Sequence, residues 1–229
     1  MMRRHLTFAL LLNKELIHSM PNWCLSRIVI TNDSKSMENL HEHFNNAIQK
    51  NDGDYQKNWL GNLLLYIGED VESPDAPRCR GWVDDYSYTA SIGKNHNTGY
   101  LNIDTSSAWV PMLQVIIKFV NKYSPNADIS FCAEEPGCEL YWRNDTTWEQ
   151  YYVEVYEEEA TDKIVEWVNE SMDGSTVRYM YKDELGYALS KLLGHDGNTD
   201  RLITEAMDKY EDYGLRIRQF RLVDLCEVD

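Results

Sequence analysis

The sequence lacks a C-x-x-C pair, a long apolar run and an excess of positive charge, and each absence closes off a class of function. Its five cysteines, Cys24, Cys79, Cys132, Cys138 and Cys226, are odd in number and widely spaced. That pattern supports neither a disulfide framework nor a zinc site. It predicts reduced, mostly strand-embedded core residues and a cytoplasmic protein. The histidines add no metal site, because His41 and His43 lie two apart on a predicted helix and point about 200° from each other. Gly93-Lys94 lacks the remaining glycines and the Ser/Thr of a phosphate-binding loop, so no cofactor is expected. Basic residues number 22 against 38 acidic ones, a net charge of -16. Such a chain repels a phosphate backbone, which excludes ordinary nucleic-acid binding, and it is repelled by anionic membrane surfaces. The longest apolar run, residues 6–12, is too short to cross a bilayer.

That run sits in the opening MMRRHLTFALLLNKELIHS, which imitates a signal peptide through Arg3 and Arg4. Asn13, Lys14 and Glu15 follow the run at once, and no A-x-A-like site precedes Met20. Residues 1–19 are therefore read as a start called too early, or a disordered leader, with Met20 as initiator and an export signal as the alternative.

What is present is aromatic and acidic. Tyr (15) and Trp (7) far outnumber Phe (5), and both combine apolar bulk with a polar handle suited to half-buried sheets and contact surfaces. The acidic residues concentrate between Glu134 and Asp173, where thirteen Asp and Glu face only Arg143 and Lys163. A solvated face is one reading of that stretch, and a surface for a basic protein partner is the other.

The periodicity predicts an α+β chain. A β-branched strand at 25–31 is followed by a helix at 35–50, capped by Asp33 or Ser34, with Met37, Leu40, Phe44, Ala47 and Ile48 on one face. An insertion at 51–80 holds a short helix. A hairpin follows at 81–92 and 98–105, then a helix from Pro111 to 123 and a strand at 128–133. This β-α-β-β-α-β order is the ferredoxin-like plan, an antiparallel sheet with both helices on one face, spanning 20–145. Residues 146–229 form a C-terminal α+β extension, closing with an alternating strand at 215–225.

Three clusters carry a resemblance: Met20-Pro21-Asn22-Trp23-Cys24, Thr105-Ser106-Ser107-Ala108-Trp109-Val110-Pro111, and Ala133-Glu134-Glu135-Pro136-Gly137. In this order the chain, from 20 to 142, resembles the phage- and plasmid-borne uncharacterised family with a ferredoxin-like domain labelled YubB-like. Ser26 and Met112 depart from that family's pattern, where Asn and a second Pro are usual. The resemblance implies a fold, a mobile-element setting and Met20 as the start, but no activity.

The candidate binding residues are Asn22, Trp23, Trp109, Glu135 and the run Glu157, Glu158 and Glu159. Each has a structural alternative: Trp23 as a cover for the core's end, Asn22 as a local backbone cap, Trp109 as an anchor at a strand-to-helix junction, and the glutamates as solvated surface. A sharper reading gathers Trp23, Trp82 and Trp109 in one aromatic cleft. Glu134 and Glu135, adjacent on a strand, face opposite ways and cannot act together as acid and base. The catalytic candidate is Pro21, whose secondary amine would become N-terminal after removal of Met20. N-terminal prolines serve as bases in tautomerases when an apolar site lowers their pKa. The expected function is thus a non-enzymatic interaction protein of a mobile genetic element, such as an acidic inhibitor of a host nucleic-acid-binding protein. The alternative is a small-molecule enzyme using Pro21 or an unrecognised cleft.

Overall fold

The computed structural model describes residues 22–73, 76–77, 79–93 and 96–225. The expectations for residues 1–19, Met20, Pro21 and Cys226 lie outside these. Among the described residues the chain is α+β, with six α-helices and strands that pair both antiparallel and parallel. No helix among them is long and apolar enough to cross a membrane. The chain divides into two compact units, the first taking 22–129 and 133–140 and the second 130–132 and 141–225.

In the first unit, β1 (Trp23–Asp33) leads into α1 (Ser34–Ile48). The Asp33 carboxylate accepts the Lys35 and Ser36 N–H groups and so caps the helix. The five apolar residues read at helical spacing are the ones α1 buries. The short α2 (Gly61–Ile67) lies in the insertion. β2 (Gly81–Gly93) and β3 (His96–Ala108) form the hairpin, followed by α3 (Leu113–Tyr123) and β4 (Asp128–Glu135). The strand order is β2-β3-β1-β4, and β3 pairs antiparallel with both neighbours. Helices α1 and α3 pack on each other, with Phe44 edge-on to Phe119 at 6.1 Å. Tyr66 of α2 and Tyr123 of α3 continue this aromatic layer, and His43 stacks on Tyr123 at 3.9 Å. His41 stacks on Tyr88 instead, so both histidines serve packing.

Alternation along β1 decides which face is covered. Cys24, Ser26, Ile28 and Ile30 are buried, while Trp23, Leu25 and Arg27 are exposed. Helix α3 starts two residues later than expected. Its N-cap residue is Met112, whose ψ of +50° is not helical, so Pro111 stays outside the first turn.

In the second unit, residues 130–132 of β4 continue the strand order β4-β5-β9, with β5 (Leu140–Arg143) parallel to β9 (Arg221–Leu222). A separate antiparallel sheet has the order β7-β6-β8, from β6 (Gln150–Val155), β7 (Val177–Tyr181) and β8 (Leu215–Gln219). The helices α4 (Asp162–Ser171), α5 (Lys182–Leu193) and α6 (Thr199–Tyr210) bury Trp167, Leu189 and Leu202 in a core with Val153 and Ile217.

The single closing strand expected at 215–225 is two strands in two sheets. Phe220 breaks it, because its ring is buried against Tyr141 and Tyr152. Its N–H binds the Gln150 carbonyl and its carbonyl accepts Arg143 Nε. Helix α6 ends at Tyr210, and a 3-10 turn over Glu211–Tyr213 follows before Gly214.

Candidate functional site

The three sequence clusters meet in the first unit, with Asn22 at their centre. The Asn22 carbonyl accepts the Trp109 N–H at 2.9 Å, and its amide reaches Cys138 Sγ at 3.8 Å. Gly137 lies so close that an added Cβ would stand 2.6 Å from Asn22 Nδ2. The Glu135 carboxylate closes the adjoining turn by accepting the Gly137 N–H at 2.9 Å. Asn22 therefore ties three distant segments together rather than capping local backbone.

Trp109 holds a strained conformation. Its φ is +67°, and Val110 N–H returns to the Ala108 carbonyl, closing a three-residue turn around it. A non-glycine residue in the left-handed region is uncommon and worth a functional question. The strain aims the indole outward, 44% exposed, where the Arg80 guanidinium covers it at 4.7 Å.

Trp23 does not cover the core. It stands on the helix-free face of the sheet, 44% exposed, edge-on to Trp82 at 5.9 Å and 66°, and Trp82 is itself 37% exposed. Register explains the meeting, since Trp23 pairs with Ala108 and Trp82 with Ser106, two positions along the same β3. Beneath them Trp59 forms an isolated bridge with Trp82 and donates its Nε1–H to the Cys79 carbonyl. Gly61 leaves room for that ring, because a Cβ there would sit 2.3 Å from it. Of the expected aromatic cleft, then, Trp23 and Trp82 meet, and Trp109 pairs with Arg80 at the same end of the sheet. Sequence reasoning missed Arg80 and Trp59. The run Arg80-Gly81-Trp82 beside Trp59 was visible, but only tertiary pairing gives it meaning.

Polar groups rim the patch. Arg27 and Asp104 form an ion pair at 3.1 Å, and Asp84 accepts the Ser106 hydroxyl at 2.9 Å.

Glu135 is not a surface residue. It is 3% exposed, as Glu134 nearly is, so the acidic surface does not begin where the acidic stretch does. The Glu135 carboxylate beside it raises the pKa of the Cys138 thiol. Burial pushes Cys24 and Cys79 up to about 12. The four described cysteines form no disulfide, and Cys138 lies exposed in a turn rather than in a strand. No group of three or more His, Cys, Asp or Glu among the described residues is placed to hold a metal ion.

In the second unit Glu157, Glu158 and Glu159 are all exposed in the turn after β6. Asp162, Glu166 and Glu170 follow on the exposed side of α4.

No family model, curated protein or solved structure matches the chain.

Proposed function

We propose that the protein is an interaction protein whose first unit, ferredoxin-like in plan, binds a protein partner through the tryptophan patch. The strand order β2-β3-β1-β4, with α1 and α3 packed on each other, supports the ferredoxin-like reading. The observation that carries the binding reading is the exposed Trp23–Trp82 pair on the helix-free sheet face. Leaving two indoles in water forgoes the stability their burial would give. Trp and Arg are also the residue types that dominate interface energetics. Asp84 and the Arg27–Asp104 pair supply the polar rim that surrounds the apolar centre of a protein interface. The mobile-element setting belongs to this proposal on the strength of the YubB-like resemblance alone.

One further observation favours an acidic mimic that occupies a basic groove. Asp162, Glu166 and Glu170 recur every four residues on α4, about 6 Å apart along one helical line. Glu166 and Glu170 repel each other at that spacing, while Asp162 lies in the first turn, where a carboxylate is favoured.

The test compares three baits from a host lysate, followed by titration against the captured partner. They are the wild type, Trp23→Ser/Trp82→Ser, and Glu157, Glu158 and Glu159 all changed to Lys. The tryptophan variant is expected to weaken binding by at least about thirtyfold, the scale of an interface hot spot, with the glutamate variant close to wild type. The opposite pattern would move the contact to the acidic turn. Equal binding by all three would end the proposal.

A further inference from the structure

Among the described residues β2 lies at the end of the strand order, so one of its sides is paired with no other strand beyond its first residues. Natural edges are protected by charge, proline, bulges or cover. Here the protection is confined to one end. Residues 58–60 cover Gly81–Val83 through Leu60 N–H to Gly81 O and Val83 N–H to Asn58 O. A bulge falls between Val83 and Asp85, and Asp84 and Asp85 supply charge. Beyond them, residues 86–93 read Tyr-Ser-Tyr-Thr-Ala-Ser-Ile-Gly, with no charge and no proline in a chain of net charge -16. Ile92 is 80% exposed.

We propose that this edge pairs with the same edge of a second copy of the chain, antiparallel about a two-fold axis at Thr89. Charge selects the occupant. Two chains of like sign can approach only where carboxylates are absent, and in this register the Asp85 residues of the two copies lie about 27 Å apart along the joined strands. Side chains then match across the axis. Beyond the bulge the even-numbered residues of β2 face α1, where Tyr86 and Tyr88 hydrogen-bond Asn45 and the Ser34 carbonyl. On that face Ile92 falls opposite the partner copy's Tyr86, an aromatic–β-branched pair of the kind that stabilises sheets. Ala90 falls opposite Tyr88. On the other face Thr89 meets its own counterpart and Ser91 meets Ser87. An isologous contact needs this self-complementarity. The face is distinct from the tryptophan patch, so the two readings fail independently.

Sedimentation equilibrium across the micromolar range tests it, with circular dichroism as a folding control. The wild type is expected to show a reversible dimer, and Ile92→Lys to weaken it by about tenfold or more by putting a charge on the edge. In a Cys138→Ser background, Thr89→Cys should form an intermolecular disulfide under mild oxidation. Ser87→Cys and Ser91→Cys should cross-link when mixed, and neither alone. A monomeric wild type, an Ile92→Lys dimer of unchanged affinity, or cross-linking of Ser91→Cys with itself would overturn the proposal.

Discussion

Two residues show how local chemistry is set by neighbours distant in sequence. Cys138 is exposed, yet the Glu135 carboxylate beside it raises the pKa of the thiol. Glu135→Gln removes that negative charge, lowers the thiol pKa and is expected to speed alkylation of Cys138 severalfold near neutral pH. Mass spectrometry of the labelled peptides reads the rate, and an unchanged rate would show that the carboxylate does not act on the thiol. Cys24 and Cys79, held near pKa 12 by burial, should stay unlabelled in the folded protein. Trp109 offers a backbone test. At its φ of +67° a β-branched side chain is strongly disfavoured and glycine is not. Trp109→Val should therefore be less stable than Trp109→Gly by about 1–3 kcal/mol, as read by urea denaturation. Equal stability would mean that the turn relaxes freely. No sequence pattern announced this conformation, because tryptophan has no preference for the left-handed region.

At the scale of elements, periodicity located helices and strands well and their ends less well. Helix α1 was legible because Met37, Leu40, Phe44, Ala47 and Ile48 recur at helical spacing behind an Asp33 cap. Phe44→Ala, which empties the centre of the aromatic layer between α1 and α3, should cost about 3–5 kcal/mol, measured by the shift in urea midpoint. The closing strand was misread because alternation continues unbroken through Phe220, whereas the switch of sheets depends on Arg143 and Gln150 far upstream. After α5, His195 binds Glu205 of α6 at 2.8 Å. Glu205 raises the pKa of His195, and His195 lowers that of Glu205. The pair therefore stabilises the fold most when His195 is charged and Glu205 ionised. Its contribution is lost as pH rises through the raised His195 pKa and as pH falls through the lowered Glu205 pKa. Nuclear magnetic resonance titration should place His195 above its ordinary value of 6.5, and Glu205→Gln should bring it back down. An unshifted His195 would remove the pair from the account.

For the whole molecule the governing quantity is the net charge of -16. Self-repulsion of that size destabilises a compact chain and is screened by salt over about 10 Å at 0.1 M. Raising ionic strength is therefore expected to raise the melting temperature and to tighten the β2-mediated dimer together. A melting temperature that falls with added salt would mean that the ion pairs, such as Arg178–Glu184 and Lys182–Asp200, outweigh repulsion.

The sequence by itself determined the α+β class, the order of its first elements, the buried face of α1 and the net charge of -16, because these follow from local periodicity and summed composition. Only the tertiary structure decided that Asn22, Trp109 and Gly137 meet, that Trp23 and Trp82 share an exposed face, that Glu135 is buried and that, among the described residues, no strand pairs with the outer side of β2 beyond its bulge. The physical reason is the same in each case. Register between strands distant in sequence sets which side chains become neighbours, and in a period-two ladder a shift of one residue moves every side chain to the opposite face.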